Sequence, residues 1–298
     1  MSAPEPSPGR ASATQIRRRR AIALGAIALA LVAIVIAVAV ALGAVHRKSA
    51  SPPPPPAAPR TFRVIFPEGF TRAQMAERVG AVAKIARRKS HGAVKLSAKS
   101  YLAASRTGTV RCFTPFKRTN LEGFLFPATY DFLATTTSRQ LVQQQLATFC
   151  QKWSGVDLAY AHSKNLTPYD VLKIASMVEK ETLASSERRL VAAVIYNRLH
   201  EGMPLGIDAT LRYGLHIPPT QSILESQLQS DNPYNSRKLT GLPPTPIANP
   251  GLPSIGAAAH PAKVDYLYFV RKPDKVHHFF TASGSAFNAY ECQHGYGC

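Results

Sequence analysis

The hydrophobic pattern opens with an uninterrupted apolar run. Residues 21–45 contain no charged side chain, and a bilayer core is crossed by a helix of about 20 such residues. The run is longer than the apolar core of a cleavable signal peptide, about 7–15 residues, so the pattern predicts an uncleaved transmembrane helix. Before it, residues 1–20 are rich in Ser, Pro and Ala and end in Arg17–Arg20, which predicts a disordered tail. After it, residues 46–60 carry SPPPPPAAP, a semi-rigid polyproline linker of about 3 Å per residue.

Beyond the linker the period changes repeatedly. TFRVIF, 61–66, alternates as a strand, and Pro67-Glu68-Gly69 makes a turn. Thr71 and Gln74 frame a capping box that opens an amphipathic helix, with Met75, Val79, Val82 and Ile85 or Ala86 on its apolar face. An aromatic-rich loop, 121–127, leads to Thr129-Tyr130, and a helix is predicted over 138–153. Helix–turn–helix spacing fills 166–202. Residues 202–256 are rich in Gly and Pro and read as a long loop, which in a compact domain is usually functional or disordered. VDYLYFV, 264–270, and VHHFFTA, 276–282, flank a Pro273-Asp274 turn as a β-hairpin, and a short helix over 284–291 follows. Together these elements predict an α+β fold.

The helix–turn–helix carries the most chemistry. Thr167 is its N-cap, Pro168 fits the first helical position and Asp170 completes a capping box. Val171, Ile174, Ala175 and Val178 recur at helical spacing, and the helix is expected to stop near 182–184. A second helix starts at Ser185 or Ser186, carries Leu190, Val191, Val194, Ile195 and Leu199, and ends before Gly202, a C-cap glycine. At about 100° per residue, Glu181 falls between Met177 and Ile174, and Glu179 lies at the edge of the same apolar sector. A carboxylate on an apolar face is costly unless paired, neutralised or used. The wheel does not separate the two glutamates, and both could equally sit on a solvated helix end, paired with Lys180 or Arg188.

Composition adds a partner class. The 298 residues hold 36 Lys and Arg against 17 Asp and Glu, a net charge of +19. That balance suggests an anionic partner, but no zinc-finger spacing or phosphate loop accompanies it, so nucleic acid is not expected. Cys112, Cys150, Cys292 and Cys298 form no C-x-x-C pair; in an exported domain the simplest disulfides are Cys112–Cys150 and Cys292–Cys298. His277 and His278 point to opposite faces of a strand, so with His260 they predict no metal site. No G-x-S-x-G elbow is present.

At this point the residues resemble a known family, the MltG (YceG-like) endolytic murein transglycosylases. The matching segments are PEGF (67–70), LEGFLFPATY (121–130), ASMVEKET (175–182), SERRLVAAVIYNRL (186–199), GMPLGIDATLRYG (202–214), NPYNSRKLTGLPPTPIANPG (232–251), AAAHPAKVDYLYFV (257–270) and HFFT (278–281). The resemblance implies that the second glutamate of the E-K-E run, Glu181, is the catalytic acid. It implies binding or supporting positions at Glu179, Glu187, Asn197, Arg198, Asp208, Thr210, Tyr213, Tyr234, Asn235, His260 and His278. Two departures stand out: Gln is common where this chain has Gly206, and Pro where it has Ala209.

The implied reaction breaks the MurNAc-β-1,4-GlcNAc bond of nascent glycan strands without water or cofactor. One glutamate serves as acid and then as base on the MurNAc C6 hydroxyl, closing a 1,6-anhydro ring. Ile174, Met177 and Val178 are expected to desolvate Glu181 and keep it protonated. The expected division is a cytoplasmic tail (1–20), a transmembrane helix (21–45), a linker (46–60), a LysM-like subdomain remnant (61–130) and a catalytic domain (131–298). Arginines concentrated before the apolar run place the N-terminus in the cytoplasm and the catalytic domain outside the inner membrane, near cell-wall synthases. The alternatives are a non-catalytic peptidoglycan-binding protein of the same fold and a hydrolase that releases reducing ends.

Overall fold

The computed structural model describes residues 13–45, 59–90, 94–113, 117–118 and 120–296. The chain divides into two units, Met1–Ala58 and Pro59–Cys298. In the first, α1 (Ala13–Val45) is a single helix, long and apolar enough to cross a membrane. It starts earlier than the apolar run. Arg17–Arg20 continue it, because Ala and Arg are good helix formers. Residues 1–12 of the tail and 46–58 of the linker lie outside the described residues.

In the second unit, β1 (Thr61–Ile65) passes through a turn at Gly69, φ 74°, into α2 (Arg72–Ser90). The capping box forms: Thr71 N–H donates to Gln74 Oε1 at 2.9 Å, and Gln74 N–H to Thr71 Oγ1 at 3.2 Å. Met75, Val79 and Ala86 are buried, whereas Ile85 is exposed. α3 (Ala98–Ala104), β2 (Gly108–Thr109) and β3 (Lys117–Arg118) follow. β4 (Thr129–Leu133) then returns to pair antiparallel with β1, Val64 opposite Tyr130.

The 121–126 segment is a loop by backbone but core by packing. Leu121, Phe124 and Leu125 are fully buried. Phe124 meets Phe113 and Phe149 edge-on, with ring centroids 5.1 and 5.2 Å apart, and stacks on Tyr169. α4 (Ser138–Trp153) supplies Phe149 and Trp153 to this cluster, and a Cys112–Cys150 disulfide closes beside it.

After α5 (Ala159–Ser163), α6 runs Pro168–Glu181 with the Thr167–Asp170 capping box in place. A 3-10 turn (Ser185–Glu187) leads to α7 (Arg188–His200), and Gly202 takes φ 66° just past its end. The segment expected as one long loop holds three helices: α8 (Asp208–Gly214), α9 (Glu225–Leu228) and the start of α10 (Leu252–Ala259). They are short, and α8 is pinned by tertiary contacts: Thr210 Oγ1 reaches Ile207 O at 2.7 Å and Ser236 Oγ at 2.8 Å. α10 is built of small residues and packs along α6. The hairpin is shorter than its pattern, β5 (Tyr268–Arg271) against β6 (His278–Thr281), and α11 (Gly284–Gln293) follows, capped by Ser283. Helices and small antiparallel ribbons thus make a mixed helix/strand unit.

Candidate active site

α6 ends at the wall of an open groove of about 1210 Å³. Its lining comes from the start of α2, Glu122, the end of α6, Arg198, α8, the β5–β6 hairpin and α11. Glu181 is the last residue of α6 and is partly open to this space. Met177 and Val178, one turn back, and Ile174, two turns back, are fully buried.

Burial pushes the Glu181 carboxyl up to about 7, and the negative charge of Asp208 pushes the same way. The charge of Arg271, the Ala209 N–H and Lys180 oppose it. Ala209 lies in the first turn of α8, where N–H groups have no partner within the helix. Arg271 also donates from Nη2 to the Glu181 main-chain oxygen at 3.2 Å. Asp208, at the first position of α8, is ion-paired with Arg237. The aspartate therefore raises the proton affinity of Glu181 while its own charge is balanced from the other side.

A second carboxyl lines the groove. Glu122 is buried, and that burial pushes it up to about 7 against three donors. Arg72 N–H reaches Oε1 at 2.8 Å, Asn249 Nδ2 donates to Oε1 at 2.7 Å, and Tyr213 OH donates to Oε2 at 3.2 Å. Glu122 thereby fixes Tyr213, whose ring lies 5.2 Å from that of Tyr234.

Behind the hairpin, Glu187 and His278 are joined twice. The His278 main-chain N–H donates to Glu187 Oε1 at 3.0 Å, and His278 Nδ1 lies 2.7 Å from Oε2. Both residues are buried, yet His278 lines the groove.

Of the residues singled out in the sequence, Glu181, Arg198, Asp208, Tyr213 and His278 line the groove. The others stand around it. Glu179 Oε2 accepts the Gly251 N–H at 3.0 Å, at the N-terminus of α10. Asn197 donates to Val264 O and Tyr266 O and ties α7 to the approach of the hairpin. Arg198 donates to Leu267 O, Pro204 O and Leu205 O and lies over the Tyr268 ring. Thr210 and Asn235 are buried, and the Asn235 Oδ1 accepts the Arg237 N–H at 3.2 Å. Tyr234 OH meets Thr245 Oγ1. His260 is exposed, and its carbonyl accepts from Arg189. Cys292 is disulfide-bonded, while Cys298 lies outside the described residues.

Sequence reasoning did not single out Glu122, Arg237 or Arg271. Glu122 sat inside a quoted motif, but its role depends on contacts from Arg72, Tyr213 and Asn249 far away in the chain. Among the described residues no group of three or more His, Cys, Asp or Glu is placed to hold a metal ion.

Comparison with known proteins gives a consistent picture. The model of the YceG-like family matches residues 45–292. A protein of Bacillus subtilis (strain 168) named endolytic murein transglycosylase is 39% identical over 154 residues, covering 51% of this chain and 42% of the relative. One of the same name from Streptococcus pneumoniae (strain R6) is 34% identical over 227 residues, covering 68% and 39%. The chain thus matches about two fifths of the length of these curated relatives. A crystal structure of a yceG-like protein from Listeria monocytogenes superposes with a TM-score of 0.62 at 28% identity, over 76% of this chain and 75% of that one.

Proposed function

The chain belongs to the YceG-like family, and from that premise we propose that it is a membrane-anchored endolytic transglycosylase of peptidoglycan. The observation that carries this reading is the placement of Glu181, partly open to the groove and pushed up to about 7. A carboxyl with that proton affinity donates to a leaving oxygen near neutral pH. Glu181 would protonate the GlcNAc O4 as the bond to MurNAc C1 breaks. The MurNAc C6 hydroxyl then closes on C1, and the ionised carboxylate is the simplest acceptor for its proton. Because the second nucleophile belongs to the substrate, the two-carboxylate separation of ordinary glycosidases is not required.

The groove suits a long polymer, being open rather than enclosed. Cations at Arg72, Lys180, Arg198, Arg212, Arg237 and Arg271 line it, which favours glycan strands bearing peptide carboxylates. Tyr213 and Tyr268 offer rings along the wall. α1 would anchor the chain with the arginines on the cytoplasmic side, leaving 59–298 outside near newly made strands. The arrangement of α2 and α3 between the paired strands β1 and β4 supports a small LysM-like subdomain that ends with β4, a few residues beyond the expected 130, with the catalytic domain after it.

The test is to incubate the full-length chain in detergent with uncrosslinked glycan strands and weigh the new ends by mass spectrometry. Ends lighter by one water than reducing MurNAc are expected. Reducing ends alone, or no cleavage, would overturn the proposal.

A further inference from the structure

The reading above asks one group to make two proton transfers in sequence. Glu181 must release its proton to the leaving sugar before it can collect another. The groove holds a second group suited to proton transfer that this scheme leaves idle. The His278 side chain is only 2% exposed, and both its main-chain N–H and its Nδ1 are committed to Glu187. A carboxylate only accepts hydrogen bonds, so Nδ1 carries the shared proton, and in the tautomer this fixes the lone pair lies at Nε2. Nε2 has no protein hydrogen-bond partner among the described residues, although His278 lines the groove. The rings of Phe269 and Phe280 stand edge-on to the imidazole, centroids 5.4 and 5.9 Å away, and keep water from its flanks.

The hairpin register places this ring beside a residue that reaches the end of α6. His278 is paired directly with Arg271, so the two side chains share one face of the ribbon. Arg271 in turn donates to the main-chain oxygen of Glu181. Glu187 reaches the same place from the turn that follows α6.

We propose that His278 is the base that takes the proton of the MurNAc C6 hydroxyl during ring closure, with Glu187 as its positioning residue. The proposal rests on the transglycosylase reading and divides its two proton transfers between two groups. As O6 bonds to C1, the C1–O4 bond breaks and its electron pair leaves with O4. Glu181 gives its proton to O4, and the O6 proton passes to His278 Nε2. The imidazolium so formed is stabilised by Glu187. Proton transfer from His278 to Glu181 through solvent restores the starting state. A base already in place lets the hydroxyl close before water enters the cleaved site.

The test reads the ratio of anhydro to reducing ends made by the full-length chain, with melting temperature as the check on folding. In His278→Gln, kcat falls about 10²-fold, the low end of general base catalysis, and reducing ends appear among the products. Glu187→Gln keeps the size and one acceptor oxygen for the His278 main-chain N–H, loses the acceptor at Nδ1, and its melting temperature shows whether it folds. It shifts the ratio in the same direction by less. An unchanged ratio in Glu187→Gln and in folded His278→Gln, whatever the rate, would mean the pair is structural and would overturn the proposal. Absence of anhydro ends from the wild-type chain would instead overturn the transglycosylase reading itself.

Discussion

Glu179 and Glu181 stand two residues apart on α6 and serve different neighbours. Glu179 accepts the Gly251 N–H at the N-terminus of α10, while Glu181 faces the groove beside Asp208 and Arg271. Glu179→Ala removes a charge-assisted hydrogen bond at a helix start and costs about 1–2 kcal/mol of stability. Part of that cost is offset at Glu68, whose carboxyl is held above its ordinary range by burial and then by Glu179. Denaturant unfolding should show the loss. Cleavage per folded molecule should stay near wild type, and a collapse of cleavage with unchanged stability would contradict the assignment.

The pH dependence of activity follows from the charges around Glu181. Its protonated fraction is lost as pH rises through about 7, so kcat/KM declines on the alkaline side. Asp208→Asn removes a charge that raises the carboxyl and moves this limb to lower pH; Arg271→Gln removes one that lowers it and moves the limb up, each by up to about one unit. Lys180 and Arg237, the other cations acting on the carboxyl, stay in both variants. Limbs that do not move in opposite directions would contradict the charge assignment.

Stability should carry the same sign. Glu122 and Glu181 are both raised from 4.5 to about 7 in the folded chain. Their contribution is fully present below about 4.5 and lost as pH rises through 7, because the folded state holds protons that the unfolded chain releases. Melting temperature measured between these limits should fall with pH, and Glu122→Gln should flatten the slope. An unchanged slope would count against a neutral Glu122.

The Cys112–Cys150 disulfide closes a separation of 38 residues beside the Phe113–Phe124–Phe149 cluster. Its removal by Cys112→Ser with Cys150→Ser should cost roughly 3–4 kcal/mol by loop entropy. Calorimetry of the double variant should show this as a lower melting temperature.

Much of the helical frame was legible because its signals are local. Thr71 with Gln74 and Thr167 with Asp170 announce helix starts within four residues, and Gly202 marks a helix end. The helices of 202–256, α8, α9 and the start of α10, were not legible, since they are short and flanked by Pro and Gly. α8 depends on Ser236, 26 residues from Thr210. The groove was legible only in pieces. Periodicity put Glu179 and Glu181 on one apolar sector, and only the tertiary neighbours Gly251, Asp208 and Arg271 separate them. Glu122 gave no local signal, because its partners Arg72, Tyr213 and Asn249 lie 50, 91 and 127 residues away. Gly206, met in the sequence as a departure, has a structural reason. It takes φ 66°, and a Cβ there would stand 2.7 Å from Arg198 Nη1.

The central claim is that Glu181 supplies the proton that breaks the glycosidic bond. The direct measurement is the rate of new anhydro-end formation by full-length Glu181→Gln on uncrosslinked glycan strands, beside wild type and Glu179→Ala. A glutamine is nearly the same size but cannot donate as an acid, so the rate should fall at least about 10²-fold with the fold intact. Anhydro ends released by Glu181→Gln at the wild-type rate would contradict the claim.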